Sequence, residues 1–204
     1  MNKRRVLMTI AGVSFAAMMV GCSKAPEQEL SAAKAMLDSA RVVEADKYMT
    51  TFYSAAQDSL KEAIAEIEKQ NGAPPIVRSF DRAKALLIST SALAQNARMK
   101  AQEEKQRIQA EVDTMLKEVP GMVAETRALL SQAPKGKDGK AALDAIGTEI
   151  SAVESSLSDA QSMRVGGDLI GARSSINAGI AKLGAIKTEL AETIAKAPPV
   201  SKKK

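Results

Sequence analysis

The most regular pattern of apolar positions lies toward the C-terminal end of the chain. Leu143, Ile146, Ile150, Val153, Leu157 and Ala160 recur at steps of three and four, and so do Leu169, Ala172, Ile176, Gly179, Leu183, Ile186 and Leu190. That spacing places apolar side chains on one stripe of an α-helix. Between the two runs, Gly166-Gly167-Asp168 supplies a glycine stop and an aspartate suited to an N-cap. The pattern therefore predicts an antiparallel helical hairpin over residues 140–197. Ala197-Pro198-Pro199 ends it and leaves a basic tail, residues 198–204.

Upstream, residues 27–71 contain neither glycine nor proline, and Tyr53, Ala56, Leu60, Ala63 and Ile67 form the seam of an amphipathic helix. One long helix is expected there, with Tyr48 to Tyr53 as the weak stretch where a kink would fall, because Thr50 and Thr51 are poor helix formers. Asn71-Gly72-Ala73-Pro74-Pro75 is a strong stop. A second helix is expected from Ile76 or Ser79, with Phe80, Ala83, Leu87, Ala94, Ala97, Ile108, Val112, Met115 and Val119 on its apolar face. Its middle, Lys100 to Gln109, is so charged that it is expected to project into water. Pro120-Gly121 should kink or end this helix, and a shorter piece should carry Met122, Val123, Thr126, Leu129 and Leu130. Residues 133–139, Ala-Pro-Lys-Gly-Lys-Asp-Gly, read as a linker. The predicted fold is all-α: a long hairpin with a short connecting helix in residues 22–132 and a second hairpin in 140–197, forming an elongated or coiled-coil-like bundle. Pairing of the stripes within one chain is the simpler reading, and pairing between copies in a homo-oligomer is the alternative.

The first residues follow another logic. Lys3, Arg4 and Arg5 precede an apolar run from Val6 to Val20, which has signal-peptide anatomy and is too short for the roughly 20 residues of a spanning helix. The run ends in Met19-Val20-Gly21-Cys22. Here the chain resembles the bacterial lipoprotein precursors, although Met19 stands where leucine is usual. The resemblance implies removal of residues 1–21, lipidation of Cys22 and attachment to the membrane by acyl chains such as palmitate; two or more chains anchor stably where one does not. Ser23 in place of aspartate implies onward transport to the outer membrane, facing the periplasm. The region from Ala32 to Ala97 also resembles a family of alanine-rich helical envelope lipoproteins of unknown function, through its alanine and leucine steps before and after a glycine break.

Charge changes the picture little once the leader is set aside. Without Lys3, Arg4 and Arg5, the 29 basic residues become 26, against 24 acidic ones. Three of those 26 are Lys202, Lys203 and Lys204, so the body is near neutral and carries no nucleic-acid footprint. Lys202 to Lys204 are a candidate cell-wall contact: Lys204 alone resembles the terminal lysine that joins the major murein lipoprotein to peptidoglycan.

Candidate chemistry is sparse. The chain has no histidine, and its single cysteine is Cys22, so no internal disulfide can form and no serine has an imidazole to activate it. Helix-borne pairs such as Glu62 with Glu66 or Glu103 with Glu104 read as solvated surface rather than metal ligands. Gly166-Gly167 lacks the spacing of a phosphate loop. Neither catalytic residues nor a cofactor are expected. Tyr48, Phe52 and Tyr53 form the only aromatic cluster, read most simply as a plug in the hairpin interface. Its alternative is an exposed interaction patch. The functional expectation is a non-catalytic structural or protein-interaction module held at the envelope by lipid, its partner an envelope protein or the cell wall. The alternative is a binding module or chaperone for an apolar ligand or partner helix, needing a cavity lined by Phe52, Phe80, Met115 and Met122.

Overall fold

A computed structural model describes residues 24–134 and 139–196. Residues 1–21, Cys22, most of the 133–139 linker and the tail with Lys202, Lys203 and Lys204 lie outside them. The described residues are all-α: α1 (Glu27–Val42), α2 (Ala45–Tyr48), α3 (Thr50–Asn71), α4 (Asp81–Gln132), α5 (Gly139–Val165) and α6 (Leu169–Lys196).

The organising element is α4, 52 residues long and so about 78 Å from end to end at 1.5 Å per residue. Its buried positions, Ala83, Leu87, Thr90, Ala94, Ala97, Ala101, Ile108, Val112, Val119, Val123 and Thr126, form one stripe along the whole length. Both threonines on it are satisfied internally: Thr90 Oγ1 donates to the carbonyl of Leu86 at 2.9 Å and Thr126 Oγ1 to that of Met122 at 2.7 Å. The first half of this stripe is covered by α1 and α3, and the second by α5 and α6. Among the described residues, helices of one pair do not pack on helices of the other. The molecule is thus two three-helix bundles in series that share one helix.

Residues 27–71 are not one kinked helix. The chain begins a single reversal at Val43-Glu44, where Glu44 adopts a left-handed conformation (φ 63°), and completes it at Met49 (φ −136°). Ala25, Leu30 and Ala33 pack with Ile67, Phe80, Ala83 and Leu87 at one end, while Glu44 reaches Lys105 farther along α4. So α1 runs parallel to the first half of α4, and α3 runs antiparallel to both. The reversal allows the small faces Ala33, Ala40, Ala56, Ala63, Ala94 and Ala97, all fully buried, to approach closely in three directions. One straight helix of 45 residues would cover only one side of α4.

Pro120 does not end α4. It is exposed, and its neighbours Val119, Val123 and Thr126 keep the apolar stripe in register across it. Burial of that stripe outweighs the lost backbone hydrogen bond. Nor does the Lys100–Gln109 stretch stand alone in water: Ala101 and Ile108 are buried. The second bundle follows the sequence pattern closely, with all seven predicted positions of α6, from Leu169 to Leu190, buried. Gly167 takes a positive φ of 88° at the α5–α6 turn, and Asp168 Oδ1 accepts the Gly171 N–H at 2.9 Å as a helix cap.

Candidate functional site

The predicted aromatic cluster falls where the first bundle reverses. Because α2 is a single turn between two backbone breaks, Tyr48 and Tyr53 point inward and are 9% and 8% exposed. Phe52 is partly buried, and the Lys100 ammonium stands 5.7 Å from its ring centre. Of the three rings, Phe52 keeps the most exposure. The two phenols contribute to the core, and burial pushes both pKa values above the usual phenol range.

Around Tyr48, the turns of the two bundles meet over the middle of α4. A cleft of about 320 Å³ is lined there by Glu44, Lys47, Tyr48, Lys105, Gly166, Gly167, Asp168 and Ile170. Lys105 lies 5.6 Å from the Tyr48 ring centre and donates to one oxygen of the Glu44 carboxylate, while Lys47 donates to the other at 2.8 Å. Those two hydrogen bonds, the Lys105 one foremost, hold the Glu44 carboxyl below the usual carboxylate range. The arrangement is an ion-paired latch between the α1–α3 reversal and α4. Each oxygen of the Glu44 carboxylate is thus matched by one lysine.

Just beyond the junction, Arg164 of α5 grips Asp113 of α4 through two hydrogen bonds of 2.6 and 2.9 Å. The guanidinium holds that carboxyl low as well. Farther along, Arg127 pairs with Glu154 and Lys187 with Glu125. These contacts tie α5 and α6 to α4. Arg107, inside the charge run, pairs with Glu104 and Glu111 one turn away on its own helix.

Among the described residues, no group of three or more carboxylates is placed to hold a metal ion, and no helix is long and apolar enough to cross a membrane. Phe52, Met115 and Met122 pack against the main core, whereas Phe80 belongs to a separate cluster at the far end of the first bundle. The four residues named for an apolar cavity therefore do not line one space.

One surface feature escaped the sequence pattern. Of the two expected starts of the second helix, Ser79 is close to the observed start at Asp81, whereas Ile76 lies in the α3–α4 loop and is 90% exposed; its neighbour Val77 is 67% exposed. The available signal was the Pro74-Pro75-Ile76-Val77 run itself, since Ile76 and Val77 belong to neither flanking three-four repeat. Comparison of the chain with protein-family models, with curated proteins and with solved structures finds no match.

Proposed function

We propose that this chain is a lipid-anchored lipoprotein of the bacterial cell envelope, facing the periplasm, most simply from the outer membrane, and acting as a non-catalytic structural or protein-interaction module. The observation that carries this reading is the continuous series of basic start, apolar run and Met19-Val20-Gly21-Cys22, followed within five residues by the first helix at Glu27. The shape of the body supports it. Two bundles in series present a long outer surface, while most of the large apolar side chains pack on the protein's own seams. The division of Phe52, Phe80, Met115 and Met122 between two clusters favours this reading over a carrier for apolar cargo.

The deciding experiment is metabolic labelling with a clickable fatty acid in cells expressing wild type or Cys22→Ser. Wild type should incorporate label and run at the processed mass. The variant should carry no label and keep its leader. Label on the variant would refute lipidation at Cys22.

A further inference from the structure

The exposed apolar residues Ile76 and Val77 stand at one particular end of the molecule. Phe80, at the base of their loop, packs with Ile67, and Ala25 and Leu30 pack against the same cluster. Cys22 stands three residues before Ala25 in the chain, a reach of at most about 11 Å. The apolar tip thus lies at the same end of the first bundle as Ala25, which follows the cysteine read as the lipid attachment point by three residues.

The tip is also built to hold its side chains outward. The Val77 N–H donates to the Pro74 carbonyl at 3.1 Å, closing a turn whose backbone is already restricted by Pro74 and Pro75. Arg78 Nη2 donates to the carbonyls of Asn71 and Ala73 at 3.1 and 3.0 Å, and the Ser79 N–H donates to Gln70 Oε1 at 3.1 Å. The loop is therefore tied at its base on both sides, and ordering it on a surface costs little further entropy. Pro74, Pro75, Ile76 and Val77 are consecutive and all exposed, and such an apolar run exposed at a tip marks a contact site. The flanking charges are mixed: Lys69, Arg78 and Arg82 against Glu68 and Asp81. The chemistry at the tip is apolar rather than electrostatic.

We propose that the Pro74–Val77 tip dips into the lipid surface that carries Cys22, so that the protein is held by its acyl chains and steadied by a second, protein-borne contact. This rests on the lipid-anchor reading, and it names lipid rather than a protein partner as the occupant of the tip. Two contacts would fix the tilt of the first bundle, where a lipid on a short flexible leader would leave it free to swing.

The test places an environment-sensitive fluorophore at position 76 through Ile76→Cys, or at position 132 through Gln132→Cys, near the other end of α4. In the lipidated protein the Cys22 thiol is occupied, so the introduced thiol is the only one available to label. The proteins are reconstituted in phosphatidylcholine vesicles whose acyl chains carry bromine as a quencher. Label at position 76 should shift to the blue and be quenched, at low and at high salt alike, and label at position 132 should not. Adding Val77→Asp to the position-76 protein should abolish the quenching. A parallel arm uses the mature chain with Cys22→Ser and an N-terminal hexahistidine held by nickel-chelating lipid, which brings the same end to the membrane without acylation. No quenching at position 76 in that arm would overturn the proposal, as would equal quenching at both positions, which describes a rod lying flat. Failure of the anchor reading appears separately, as absence of fatty-acid label on wild type.

Discussion

Replacing Pro120 by alanine should stabilise the protein, and the amount can be worked from its setting. Pro120 lies far inside α4, where it has no N–H to offer the carbonyl of Leu116, and proline in a helix interior is about 3 kcal/mol less favourable than alanine. Against that stands the ring's contact with the groove between α4 and α5, shared with Leu116, Val123 and Leu157. Removing two ring methylenes from this half-open site forfeits about 1 kcal/mol at roughly 0.8 kcal/mol per buried CH₂. The net gain is about 2 kcal/mol, or a rise in Tm of about 4–8 °C for a chain of this size. Gly121→Ala calibrates the measurement. A β-carbon there meets nothing within 4 Å, so it should gain about 1 kcal/mol from helix propensity alone. Thermal and urea unfolding of the mature chain carrying Cys22→Ser, followed by far-ultraviolet circular dichroism, gives both values. If Pro120→Ala lowers the midpoint while Gly121→Ala raises it, the proline ring is demanded by packing, and the account of α4 as a helix that merely tolerates its proline is wrong.

Tyr48 and Tyr53 are the only tyrosines in the chain, so ultraviolet absorbance reports on them alone; both pKa values are raised by burial, so the contribution to stability is complete below pH about 10 and lost as pH rises through the folded-state values. Ionisation should therefore coincide with loss of helix, and two phenols titrating normally in an intact helical protein would return the cluster to the surface. Native-state hydrogen exchange should show the amides of α1 and α3 opening before those of α5 and α6, because the first bundle buries mainly alanine, whereas Ile150, Ile176, Leu183 and Leu190 fill the second; uniform protection across all four helices would contradict the ordering.

Much of this architecture is legible in the sequence where the apolar residues are large. In α6 all seven positions of the three-four repeat are buried, and the Gly167–Asp168 turn and cap follow from residue chemistry. Legibility fades where alanine carries the seam. Alanine favours a helix without specifying a face, so the stretch from Glu27 to Asn71 carries no sign that its first part returns along α4. The signal for the reversal is Glu44 in a left-handed conformation, which glycine or asparagine would have announced and glutamate does not. The weak helix formers Thr50 and Thr51 do lie beside the second break at Met49. Pro120 misled in the opposite direction: local chemistry argued for a kink or an end, and the helix runs on through it with Val119, Val123 and Thr126 on one buried stripe. In the Lys100–Gln109 run Ile108 is legible as part of the apolar face, whereas Ala101 is hidden among charges, and the docking of both turns over the run keeps its inner side out of water. Ile76 lies in neither three-four repeat, and that alone does not separate an exposed loop residue there from the first turn of the helix that begins at Asp81.

The sharing of α4 has its own physical reason. A helix that packs on two neighbours at once needs an apolar stripe wider than a two-stranded seam, and α4 is too rich in charge to be apolar on every side. One stripe along its length can serve only one pair of helices at each level, so the pairs must come in sequence: α1 with α3, then α5 with α6. Their turns must therefore meet near the middle of α4, and there the chain places residues that tolerate partial exposure. Lys105 answers Glu44 on one side, and Gly166, Gly167 and Asp168 bring the other turn alongside. The helix between them keeps Ala101 and Ile108 inward, so that the two bundles are joined through α4 and the residues around this cleft. Replacing Glu44 would remove the carboxylate that Lys105 and Lys47 share and leave two cations unpaired near the turn. Glu44 sits at a strained backbone position (φ 63°) where glycine would be conformationally easier but could not supply the carboxylate that Lys105 and Lys47 share.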